Sequence, residues 1–502
     1  MKKKYFNVEN DGFYGTYYEN PNASDCTMLG LFGKDPNSYM AKCGVKWLHE
    51  NGVNALCMSP GKNDYSHVNM PLERCGTAIK WLKANGSRKI GVMGMSTAGM
   101  DSLAAAAFFP DITLTFALTA SDFIWQGFEQ GNKDGCGEWP VEGASTLSWQ
   151  GKPLPYMPFV YQHPEYWHRV QAQTKGSGDF MRTTCIFVDS EKAREHTEDE
   201  MIKVENIHGK LFIIGADDDS FWEAGKYVRR MDARLKERPH KCEYEALAYE
   251  HGTHFVLPES LLRGVLPVGL KFVLKFVFRA AKEYPDECEQ TRKDIDRRLS
   301  AALLHDLFAK LDIPAPILFG TSDGGVLAQY YAKKYNAGGL ILLSTLTVDS
   351  AYVEAMRKEK FVMPFMRFYV KRVKFAKLRT MLISAVQKHY RNETEVEKAY
   401  ATSFLEQVGT DESYRRSYLR ALAATCDILN IERFKKSDFD YLKGKVLVLI
   451  PENDMFDKAD SQKLADIFTE PVVKQTYGGH LGWVMRPDLY LPDIEQFLSE
   501  RF

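Results

Sequence analysis

Over the first 250 residues, hydrophobic positions fall into short unbroken runs separated by amphipathic stretches. Runs at 27–33 (TMLGLFG) and 54–60 (NALCMSP) have the length and composition of buried strands. Between them, 38–52 (SYMAKCGVKWLHENG) carries apolar positions at helical spacing and stops at Gly52; 71–86 (PLERCGTAIKWLKANG) repeats that design. Next comes RKIGVMGMSTAGMDSLAAAAFFPD (88–111), a buried strand, a sharp turn around Ser96 and a helix of small residues. Further apolar runs follow at 112–119 (ITLTFALT), 210–216 (KLFIIGA) and 242–249 (CEYEALAY). Strands alternating with helices predict an α/β class fold, a parallel sheet covered on both faces.

The turn at Ser96 suits nucleophilic chemistry. A serine on a tight strand-to-helix bend needs small neighbours, because strand and helix nearly touch there. Gly94, Ala98 and Gly99 supply them. The Thr97 N–H, at the start of the helix, is placed to stabilise a developing oxyanion. After the run at 210–216 comes GADDDSFW, with Asp218 as the expected acid, Asp219 next and Asp217 third. After the last strand, YEHGTHFVLPES offers His254, with His251 as the alternative. The order Ser, Asp, His is that of an α/β-hydrolase, in which His254 takes the Ser96 proton and Asp218 orients the imidazole. By topology, a second oxyanion donor comes from the loop after 27–33, near Gly33 or Lys34. Residues 121–209 form an insertion rich in Gly, Pro and aromatic residues (Trp125, Phe128, Trp139, Trp149, Tyr156, Tyr161, Trp167), expected to cover the serine as a lid.

The design recurs around Ser322 in APILFGTSDGGVLAQYYAKKYN, followed by a strand at 339–345. KVLVLIPENDMF leads to Asp454, with Asp457 a weaker choice, and TYGGHLGWVMRP presents His480. Two strand–helix units precede Ser96, but only helical sequence precedes Ser322. The second half therefore reads as a partial α/β-hydrolase domain over 306–502, with a lid at 346–440, joined to a complete domain over 1–305. The missing strands would carry the loop donating the other oxyanion N–H, and their absence would leave a bare sheet edge. A strand lent by a second copy would restore both, so a homodimer is one expectation. The basic stretch FMRFYVKRVKFAKLR within the second lid reads as a solvated helix face.

Composition narrows the picture. A chain of 502 residues exceeds a single core, which fits two domains. Its net charge of -1, from 65 basic and 66 acidic residues, gives no case for nucleic acid. Nine scattered cysteines without a C-x-x-C pair, and a basic N-terminus without an apolar segment behind it, point to a cytoplasmic protein. The apolar stretch 260–278 is interrupted by Arg263, Lys271 and Lys275 and broken by Pro267, so an amphipathic helix is expected and not a membrane span. No metal or redox cofactor is implied.

The run from YMAKCGVKWLHENG through GMSTAG, ASDFIWQGF, IIGADDDSFW and YEHGTHFVLPES, within residues 10–300, resembles the acyl-CoA thioester hydrolase / bile acid-CoA:amino acid N-acyltransferase C-terminal domain family. The resemblance covers Ser96, Asp218 and His254. It implies thioester hydrolysis, because a serine nucleophile accompanies hydrolysis in the family and a cysteine accompanies transfer to an amine. No distinct basic cluster for coenzyme A phosphates is seen, and the leaving group stays open. The expected partner is a small acyl ester or thioester. The rival readings are a carboxylesterase, peptidase or dienelactone-type hydrolase, and a binding protein with vestigial chemistry.

Overall fold

A computed structural model describes residues 3–502 except 22–23, 32, 134–135, 267–268, 311–314, 336, 359–372, 374, 390–393 and 409–432. The chain divides into two compact units, Met1–Leu304 and His305–Phe502.

In the first unit the sheet strands are β1 (Lys3–Phe6), β2 (Tyr14–Tyr18), β3 (Cys26–Leu31), β4 (Asn54–Ser59), β5 (Lys89–Met95), β6 (Ile112–Leu118), β7 (His208–Ala216) and β8 (Lys241–Tyr249). Their spatial order is β1-β2-β4-β3-β5-β6-β7-β8. All neighbouring pairs are parallel except those made by β2, which runs against β1 and β4. This antiparallel edge is absent from the sequence-based expectation. The N-terminal stretch offers only four and five residues to the two strands, and Lys3 and Lys4 are exposed.

Alternate residues of each central strand enter opposite cores, as the twofold side-chain period requires. Leu29, Val92, Leu211 and Ile213 join a cluster with helices α2 (Glu73–Ala84) and α3 (Thr97–Phe108). Met28, Met93, Phe212 and Ile214 join the other, with α1 (Tyr39–Glu50). That second core also takes Leu261, Leu262, Leu270 and Leu274 from the apolar stretch near residue 270, which forms two short helices, Glu259–Val265 and Leu270–Val277. No helix among the described residues is long and apolar enough to cross a membrane.

Between β6 and β7 lies the aromatic insertion, with an antiparallel hairpin (Gln126–Lys133, Cys136–Ser145) and helices Glu165–Thr174 and Thr184–Ala193. Its base is tied to α4 (Ala224–Glu237), where Arg230 forms a bidentate pair with buried Asp122 and a third bond to Glu191 at 2.6 Å.

The second unit contains a parallel sheet of β9 (Ile317–Thr321), β10 (Gly339–Leu343), β11 (Val446–Pro451) and β12 (Val472–Thr476), in that spatial order. Among the described residues β9 pairs only with β10, and Ile317 and Phe319 on it are exposed. Helices Ala351–Lys358, Phe375–His389 and Glu395–Val408 lie between β10 and β11. Most of the basic stretch FMRFYVKRVKFAKLR lies outside the described residues.

Candidate active site

Ser96 sits at the junction of β5 and α3 with φ 62° and ψ −129°, a conformation that L-residues rarely adopt. Its N–H donates to the Leu118 carbonyl at 2.9 Å, which anchors the bend on β6. The small neighbours are required by distance. A Cβ at Gly94 would lie 2.1 Å from the Ala98 carbonyl oxygen, and one at Gly99 would lie 2.8 Å from that of Leu118. Thr97 is the first residue of α3, so its N–H is among the unpaired amides at that helix start.

The loops after β7 and β8 meet beside this turn. His254 Nδ1 bonds both carboxylate oxygens of Asp219, at 2.8 and 3.0 Å. Asp219 also accepts the Phe221 N–H at 2.8 Å, and the Phe221 ring stacks on the imidazole with centroids 4.3 Å apart. Asp219 and His254 are both buried, which confines the ring to one orientation.

The aspartate that meets the His254 ring is thus Asp219 and not Asp218, the one expected from the sequence. Asp218 points to the other side of the loop, where one oxygen accepts the N–H groups of Gly252 and Thr253 at 3.0 and 2.8 Å. Its second oxygen faces His251 Nδ1 at 3.2 Å. Burial pushes the Asp218 carboxyl up, and its backbone and histidine partners only partly offset this. His251 stacks on Tyr284 and does not join His254, so the two histidines diverge. Asp217 pairs with Arg229 outside the site.

A cavity of about 330 Å³ gathers the remaining pieces. Gly33, Ser96, Thr97 and His254 all line it. The Gly33 carbonyl accepts the Ser59 hydroxyl at 2.6 Å, which ties the loop after β3 to the end of β4. Lys34, the alternative to Gly33, is not on the cavity wall. From the lid come Glu138, Tyr166, Met181, Thr183 and Phe187. None of the seven lid aromatics singled out from the sequence lines the cavity. Trp125, for instance, stacks on Phe159 at 5.5 Å and meets Phe187 edge-on at 4.9 Å, inside the lid's own core. Glu138 and Tyr166 were missed because a single acid and a single tyrosine in an aperiodic segment carry no pattern.

In the second unit Ser322 repeats the turn, with φ 51° and ψ −128°. His480 Nδ1 bonds Asp454 Oδ1 at 3.0 Å. Asp457 instead caps the helix Lys458–Asp466, its carboxylate accepting the Ala459 N–H at 3.2 Å. Glu397, buried on the helix Glu395–Val408, accepts the Gly479 N–H at 2.7 Å and so fixes the loop carrying His480. The difference from the first unit lies at the strand before the serine. There β5 is flanked by β3, whose loop brings Gly33 to the cavity; β9 has no such neighbour among the described residues.

A mostly parallel eight-stranded sheet of this order, with a serine on a strained strand-to-helix turn and an Asp–His pair on the loops after the last two strands, defines the α/β-hydrolase class. Within that class, residues 70–259 match the family described as BAAT / Acyl-CoA thioester hydrolase C terminal. That stretch includes the Ser96 turn, the lid and the Asp219 and His254 loops. No curated protein matches the chain. Among solved structures, the chain is similar to MenH from S. aureus, at 21% identity over 41% of this chain and 76% of that one, with a TM-score of 0.32. It is also similar to the esterase domain of a Rhodothermus marinus protein, at 11% identity over 53% and 95%, with a TM-score of 0.28. The Pyrococcus furiosus esterase Pf2001 is 15% identical over 55% of this chain and 88% of its own, with a TM-score of 0.30.

Proposed function

We propose that the first unit is a serine hydrolase that cleaves an ester or thioester with an apolar acyl group. The observation that carries this reading is the shared cavity, which the strained Ser96 turn and His254 both line while buried Asp219 holds Nδ1 of that ring. His254 Nε2 accepts the Ser96 proton as Oγ attacks the carbonyl carbon, and Asp219 stabilises the imidazolium that results. Negative charge on the carbonyl oxygen is met by the Thr97 N–H and by the loop at Gly33. Collapse of the tetrahedral species expels the alcohol or thiol, which takes the proton from His254. Water then releases the acyl group from Ser96 by the same steps in reverse.

Met40, Met95, Met181, Leu257 and Leu261 on the cavity wall support an apolar acyl group. The family matched over 70–259 supports a thioester as the scissile bond. The two-domain division at residue 305, action in the cytoplasm and a homodimer joined through the second units belong to the same proposal.

The test is reaction with a fluorophosphonate, with the modified peptide located by mass spectrometry. Modification of Ser96, lost in Ser96→Ala together with hydrolysis of short acyl thioesters, is the expected result. A protein that remains unmodified and inert toward both esters and thioesters would instead be a binding protein.

A further inference from the structure

The wall of the first unit's cavity is mainly apolar, but one corner is not. Glu138 lines it from the lid hairpin, and Tyr65 and Tyr166 line it as well. Tyr65 also lines a smaller neighbouring cavity together with His67 and Asp101. The Glu138 carboxylate makes no hydrogen bond and no close ion pair with any described residue. Burial pushes its carboxyl up, while His67 and His254 pull the other way. A carboxyl group that faces a mainly apolar cavity gains a hydrogen bond from a ligand that supplies a donor there.

The corner is held in place from behind. His67 Nδ1 bonds the Tyr65 carbonyl at 2.7 Å, and His67 Nε2 bonds Asp101 Oδ2 on α3 at 2.9 Å. Both members of that pair are buried, so the loop carrying Tyr65 is fixed to the helix that follows Ser96. On the lid side, Trp167 Nε1 donates to the Glu138 carbonyl at 2.5 Å. Tyr65 lines the cavity beside Ser96 and Ala98, which stand at the start of α3. A group bound in this corner would therefore lie within the same cavity as Ser96.

We propose that Glu138, Tyr65 and Tyr166 form a polar subsite that binds a hydroxyl or amino group on the part of the substrate enclosed by the cavity. On the hydrolase reading above, the preferred acyl groups then carry a hydrogen-bond donor on an otherwise apolar chain. The carboxylate accepts from that donor, and the two phenols complete its hydrogen bonding.

The subsite is tested by calorimetric titration of full-length Ser96→Ala protein with hexanamide, 6-hydroxyhexanamide and 6-aminohexanamide. None of these is turned over, so the outcome does not depend on hydrolysis; fluorophosphonate modification of the unaltered protein reports on that separately. The hydroxy and amino amides are expected to bind at least about tenfold more tightly than hexanamide. Adding Glu138→Leu should abolish the preference for both, whereas Glu138→Gln should keep the hydroxyl preference and lose that for the amine. Should the leucine variant not fold, the glutamine variant still separates the two donors. The proposal is overturned if hexanamide binds as well as the polar amides, if none of the three binds, or if the Glu138 variants leave the preference intact.

Discussion

Asp218 accepts the backbone N–H of Thr253 at 2.8 Å, one residue ahead of the histidine whose ring Asp219 holds. Thr253 has φ 65°, a conformation costly for a β-branched residue. The two adjacent aspartates thus divide the work, one fixing the strained backbone of the loop and the other orienting the imidazole at its tip.

Substitutions should separate these roles. Asp219→Asn keeps the shape but favours the wrong tautomer of His254, and a loss of about 10⁴ in kcat is expected. Asp218→Ala leaves the Gly252 and Thr253 N–H groups without their acceptor, at about 1–3 kcal/mol for each group that stays buried. It should lower the denaturation midpoint and cost less activity than Asp219→Asn. Steady-state kinetics and urea melts of both variants check this, and the opposite ranking in kcat would restore Asp218 as the acid.

The sequence shows why Asp218 was expected where the structure sets Asp219 against His254. Three consecutive aspartates end the β7 run, and spacing alone cannot tell which one faces the histidine loop, because neighbouring residues in a turn point in different directions. The parallel strands were legible as unbroken apolar runs, and Ser96 and Ser322 as turns crowded by small residues. Those signals are local and come from burial. The β1–β2 edge was not legible because Lys3–Phe6 and Tyr14–Tyr18 are short, and all of the first but Phe6 is exposed. Lid aromatics such as Trp125 advertised an apolar mass but not which rings face inward, since partners such as Phe159 and Phe187 are 34 and 62 residues away in the chain.

The tie between lid and α4 should be strongly directional in its energetics. Arg230 makes two bonds to buried Asp122, and burial pushes the Asp122 carboxyl up although Arg230 pulls it the other way. Arg230→Met is expected to destabilise the protein by about 3–5 kcal/mol, because an uncompensated carboxylate is left inside. The double variant Arg230→Met, Asp122→Leu should recover much of that loss. Chemical denaturation measures both, and equal losses in the single and double variants would show that the pair does not govern the lid's base.

Ser322 should react far more slowly than Ser96. Its turn and its Asp454–His480 pair are in place, but among the described residues β9 has no neighbour comparable to β3. One missing oxyanion donor is worth about 10²–10³ in rate. In Ser96→Ala protein, fluorophosphonate modification of Ser322 is expected to be slower than that of Ser96 in the unaltered chain by this factor. Comparable rates that fall on dilution would instead mean that a second copy lends the missing strand.

Acid should loosen the helix α5 (Pro285–Lys310) through Glu289. Burial by itself would raise this carboxyl, but Lys293, Arg263 and Lys271 around it outweigh burial and lower it from 4.5 to about 2. A carboxylate whose acidity is strengthened by folding stabilises the fold fully above its unfolded value. That contribution is lost as pH falls from about 4.5 towards 2. With 18% of its side chain exposed, the group contributes at most about 3 kcal/mol. Glu289→Gln should therefore lower stability at neutral pH and flatten its decline between pH 4.5 and 2. Denaturation midpoints across that range provide the measurement, and parallel curves for the two proteins would show that the three cations do not act through Glu289.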